Sequence, residues 1–248
     1  MTAKADAPGT FVPDESAGAD VAKSESRQAE VESRWEAAPA VVVVIGMQLF
    51  LAAISERKAW KLWGLPWWVW LSSVAPEIVL LLPLAFHRPR RRLEQTGHRR
   101  TVAVGLLAVV SVANVLALVA LIGSLLSGEE RSGAELLLKG LTIWGTNVIA
   151  FGLWFWALDR GGPVRRCELN PPLPDFQFPQ LENPELAKPG WRPRLMDYVY
   201  LSFTNSIAFS PTDAMPLTRW AKLLMLTESA ASAITVVLVA ARSVNIFK

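Results

Sequence analysis

Runs of about twenty apolar residues recur along this chain, broken by short charged turns. A hydrocarbon core about 30 Å thick needs about 20 helical residues at 1.5 Å each, and the stretches 37–55, 63–86, 101–126, 134–158 and 220–241 reach or approach that length. The first of them holds Val41-Val42-Val43-Val44-Ile45. β-branched residues lower helix propensity in water, but in lipid every backbone group must pair internally, so the segment is predicted helical all the same. A shorter apolar stretch, 195–211, precedes the last run and is rich in small polar groups.

This pattern predicts an all-α, polytopic helical membrane protein with five or six transmembrane segments, one of them short or re-entrant. Residues 1–36 are polar, with no sustained apolar period, and read as a flexible cytoplasmic tail. Residues 37–158 carry four transmembrane helices. Residues 159–196 hold prolines too closely spaced for a helix, so they read as an extended connector along the surface, with a docked plug or ligand-recognising arm as the alternative. Residues 197–248 supply the short apolar segment, a polar turn at Pro211-Thr212-Asp213 and the final helix.

Composition agrees with a membrane class. Of 248 residues, 52% are hydrophobic and only 19% charged, below the ~25% usual in soluble domains, and 11 are Trp. The net charge of +3 does not indicate a nucleic-acid partner, because the basic residues sit at the ends of apolar runs. Chief among these is His87–Arg100, with six arginines, which is expected on the cytoplasmic side. Trp63, Trp67, Trp68 and Trp70 mark a membrane interface. These features put the protein in a membrane as a multi-pass chain with a cytoplasmic N-terminus, and the lipid bilayer is its first partner.

The arginine loop also fixes the two possible topologies. If 195–211 crosses, the chain makes six crossings with both ends inside; if it dips and returns, there are five and the C-terminus lies outside. Arg242 and Lys248 favour six.

Candidate chemistry is sparse. No zinc motif, P-loop, dinucleotide fingerprint or nucleophile elbow occurs, so no cofactor and no catalytic constellation are expected. The lone Cys167 forms no intrachain disulfide. Glu228 in the last helix and Glu77 in the second are carboxyls at membrane depth, where a charge is expensive and must face protein or water. With Asn114, Asn147, Asn205 and Asp213 they form the candidate polar pathway or pore-like element; interhelical hydrogen bonding is the alternative role, with Lys139, Asn114 or Asn147 as partners of Glu228.

Two resemblances bear on the C-terminal third. FQFPQ, DYVYLSFTNSIAFSPTDAMPLTRWAKLL and ARSVNI resemble the closing part of a family of bacterial integral membrane proteins of unknown function. The same stretch is similar in spacing to the pore loop and inner helix of potassium channels: Tyr200, Ser202 and Phe203 match the pore helix, Asp213 the aspartate after the filter, Pro216 and Thr218 the following P-x-T, and Arg219, Leu223 and Glu228 the inner helix. The resemblance implies a channel-like or transport-related protein handling a monovalent ion or small solute, assembled as a homo-oligomer. The filter is not retained, since Ala208, Phe209, Ser210, Pro211 and Thr212 stand where its Thr-Val-Gly-Tyr-Gly would be. A non-conducting membrane scaffold or sensor is the alternative.

Overall fold

In the computed structural model the described residues are 39–61, 74–75, 78, 99–128, 132–163, 165–167, 170–210 and 214–246. Among them the chain is predominantly helical. Four helices are long and apolar enough to cross a membrane: α1 (Pro39–Lys58), α2 (Arg99–Leu126), α3 (Gly133–Leu158) and α6 (Arg219–Ile246). Between α3 and α6 lie a strand β1 (Phe176–Gln177), a single turn α4 (Pro179–Glu182), the shorter helix α5 (Leu195–Ala208) and β2 (Met215–Pro216). Of the apolar run 63–86 only residues 74–75 and 78 are described, so Glu77 falls outside, as does Asp213.

Local chemistry sets the helix ends. The helix α1 closes where Ala59 turns left-handed (φ 53°) and Trp60 N–H returns to the Ser55 carbonyl at 2.9 Å. The first turn of α3 is capped by the Ser132 hydroxyl, which accepts from Glu135 N–H.

The central helix is α3, which buries 61% of its apolar stretch against 28–33% for the other three spans. Its neighbours run the opposite way. Gly140 of α3 abuts Val239 of α6, whereas Asn147 meets Ser232, and Phe155 shares a core with Ala221. Likewise Val148 faces Ser202 of α5 and Gly152 faces Val199. Both α5 and α6 are therefore antiparallel to α3 and parallel to each other. At one end of the bundle Val41, Leu106 and Leu153 cluster with Leu195; at the other, Leu51, Leu118 and Leu136 cluster with Val239, so α1 and α2 also run against α3.

Close approach is built in at α3. A β-carbon at Gly152 would stand 2.9 Å from the Val199 backbone, so only glycine lets α3 and α5 touch there. In lipid, where burial of apolar surface gives no drive between helices, such small-residue contacts are a main source of cohesion.

The parallel pair starts from one end of the bundle. Tyr198 at the start of α5 and Trp220 at the start of α6 both pack on Phe176, at ring-centroid distances of 6.3 and 5.8 Å, so the two helices leave from one platform. The fourteen residues of α5 rise only about 21 Å, and its last turn meets α6 at Ser229, nearer the start of α6 than its end. Phe209 then turns left-handed (φ 53°). By Met215–Pro216 the chain is back at the platform, paired antiparallel with β1 as Phe176↔Pro216 and Gln177↔Met215, and Leu217 N–H donates to the Asp175 carbonyl at 2.8 Å. This is a dip and return. The crossing arrangement favoured by Arg242 and Lys248 would place α5 and α6 antiparallel, whereas here they run parallel.

The 159–196 stretch is not an extended surface strip. Phe176 and Phe178 are essentially fully buried, and they join Phe151, Phe155 and Tyr198 in a cluster that closes one end of the bundle. The prolines prevent a long helix, and the aromatic residues between them dock the chain.

Candidate functional site

On α6, Ala221, Met225, Glu228, Ser232, Thr235 and Val239 are buried, a spacing of alternating four and three that makes one stripe on a helix. Three of the six are polar. The opposite side bears Leu223, Leu226 and Val237, all exposed. A helix with polar groups inside and apolar ones outside suits a surrounding of lipid.

Glu228 is fully buried where α3, α5 and α6 meet. One carboxyl oxygen is contacted by the Ser202 hydroxyl, which also reaches the Val148 carbonyl at 2.6 Å. The other accepts from Asn205 Nδ2 at 2.7 Å, and the same amide donates to the Met225 carbonyl at 3.0 Å. Asn147 Nδ2 donates to Ser232 Oγ at 3.1 Å and, more weakly, to the Glu228 carbonyl at 3.5 Å. Asn114 Nδ2 reaches Asn147 Oδ1 at 3.5 Å. One polar chain thus runs from α2 through α3 to α6 and α5, joining four of the predicted residues: Asn114, Asn147, Asn205 and Glu228.

The predicted partners of Glu228 divide. Asn147 approaches its backbone, Asn114 joins through Asn147, and Lys139 does not take part. Lys139 is buried at the far end, where it donates to Glu135 at 2.6 Å and to the Lys61 carbonyl at 2.5 Å. Of the small hydroxyls in 197–213, Ser202 serves Glu228, whereas Thr204 and Ser206 bond back to their own helix, at Tyr200 and Phe203. Serine and threonine in lipid commonly satisfy themselves this way. Ser232 joins the network as well, and its place in the four-three stripe was a readable cue.

A second cluster lies at the platform and has no counterpart among the sequence candidates. Asp159, fully buried at the end of α3, accepts from the Tyr198 hydroxyl at 2.5 Å and from Asp175 N–H at 2.9 Å. Arg166 donates to Tyr198 at 3.1 Å and to the Trp156 carbonyl at 2.7 Å, and it stands 3.7 Å from the Asp159 carboxylate. Its guanidinium also lies over the rings of Tyr198 and Trp156. Asp175 accepts from Trp220 Nε1 at 2.9 Å and from Arg160 N–H at 2.8 Å. Burial holds the Tyr198 hydroxyl far above its ordinary pKa, with Asp159 adding to the shift and Arg166 opposing it, so it remains a donor. Only tertiary contact brings these residues together, since they come from the end of α3, the connector and the starts of α5 and α6.

Among the described residues no three His, Cys, Asp or Glu side chains gather as a metal site. No family model, no curated protein and no solved structure matches the chain.

Proposed function

We propose that this is a channel-like integral membrane protein of a bacterial cell membrane, in which several copies surround an axis and pass a monovalent cation or small solute. One observation carries the reading. The half-helix α5 ends part-way along α6, and Ala208, Phe209 and Ser210 are exposed there. The C-terminal end of a helix carries partial negative charge from its unpaired carbonyls, and half-helix ends at mid-depth bind cations in membrane transporters. Broken backbone at that depth also needs protein or water around it rather than lipid.

Ala208–Thr212 contains no glycine, so a potassium-selective carbonyl cage is not part of the proposal. Weakly selective passage is. The connector end is read as cytoplasmic, from Arg160, Arg165 and Arg166 and from the arginine loop.

A non-conducting scaffold is the second reading, favoured by the Glu228 carboxyl, whose two oxygens are both occupied inside one chain. Reconstitution into liposomes separates the two. Cation-dependent dye flux above that of empty vesicles, lost in Asn205→Leu with α5 unhooked from α6, is the expected result. Flux equal to empty vesicles across sodium, potassium and larger cations would leave the scaffold.

A further inference from the structure

The exposed surface of the platform is strongly basic. Arg165, Lys188, Arg192, Arg194, Arg219 and Lys222 are exposed, against only Glu182 and Glu185 among exposed carboxylates of the described residues there. Asp159 and Asp175 are turned inward and used. The cations are not scattered over a polar surface. Leu186 and Leu173 stand 82% and 89% exposed in the same connector, an arrangement unfavourable in water.

The two helices that leave the platform explain the combination. On α5, Met196, Tyr200, Phe203 and Ile207 are exposed at i, i+4, i+7 and i+11, a single outer stripe, with Arg192 and Arg194 just before it. On α6, Arg219 heads another outer stripe that continues through Leu223 and Leu226, with Lys222 beside it. Each helix therefore sets cations directly before an outward-facing apolar strip. A free phosphate would use only the cations and an acidic protein would leave the strips unmatched, whereas an anionic phospholipid fits both, with its phosphate at the rim and its acyl chains along the strip.

We propose that the platform is a binding collar for anionic phospholipid, with Lys188, Arg192, Arg219 and Lys222 holding headgroups while Leu173 and Leu186 enter the interface. The proposal is independent of conduction. Cations near an anionic leaflet contribute about 1 kcal/mol each, which is about fivefold in affinity.

The test uses the full chain in mixed micelles, with tryptophan fluorescence quenched by brominated phosphatidylglycerol in competition with phosphatidylcholine. The native protein should prefer phosphatidylglycerol. Lys188→Gln with Arg192→Gln, and separately Arg219→Gln with Lys222→Gln, should each reduce that preference by several-fold, up to about fivefold per cation. Arg192→Lys with Arg219→Lys should retain it, showing that charge and not fold was lost. Equal binding of both lipids by the native protein overturns the proposal and leaves the cations to a soluble acidic partner. Preference unchanged in both Gln pairs overturns it as well, as does full reversal by inorganic phosphate at constant ionic strength, which would mark a free-anion site.

Discussion

The half-helix α5 is held at two places by different physics. At its start, Tyr198 joins Asp159 and Arg166 in a cluster that contains a buried ion pair and is walled by aromatic rings. Further along, Ser202 and Asn205 hold Glu228 through neutral donors, with no cation in contact among the described residues. The first site is a charged knot near the interface, and the second a hydrogen-bonded pin at membrane depth. They should therefore fail differently. Removing Asp159 or Arg166 strands a buried charge, while removing Ser202, Asn205 or Ser232 takes away a single neutral hydrogen-bonding group.

The largest effect is expected from Asp159→Ala. It leaves Arg166 buried without its carboxylate, and breaking such a pair costs about 3–5 kcal/mol. Unfolding in mixed detergent micelles should show it, and a loss below that of the pin variants would reverse the ranking of the two sites. Gly152→Val comes next. Its side chain would collide with the Val199 backbone, and overpacking costs about 1–3 kcal/mol; cysteine crosslinking between α3 and α5 should weaken in parallel.

The pH response sharpens the contrast. Tyr198 keeps its proton in the folded protein above the ordinary phenol pKa of 10.0, while the unfolded chain releases it. The folded state then binds more protons, so the stability from this group is complete below that value and falls as pH rises beyond it, by up to about 1.4 kcal/mol per pH unit. Comparing the native protein with Tyr198→Phe isolates the effect; identical alkaline slopes would assign the loss elsewhere. The smallest changes are expected in the pin. Asn205→Ala and Ser232→Ala should each cost about 0.6 kcal/mol, the average for interhelical hydrogen bonds in lipid, and at most about 1.7 kcal/mol. Glu228→Gln keeps shape and one acceptor, so it should cost least of all by the same unfolding measurement.

The sequence alone determined that apolar helices of membrane length occur in the described parts of the chain, because that property depends only on a local count of residues against bilayer thickness. It also singled out Asn114, Asn147, Asn205 and Glu228, since uncompensated polar groups stand out within apolar runs. What it left open was direction. Whether α5 crosses or turns back depends on contacts between residues far apart in the chain, such as Asn205 with Glu228 and Phe176 with Pro216, and charge near the C-terminus pointed the other way. The Asp159 knot was likewise decided by tertiary structure: in sequence, its members are ordinary polar residues in a proline-rich stretch, and only the packing of Phe176 and Phe178 against α3 and α5 removes them from water and joins them.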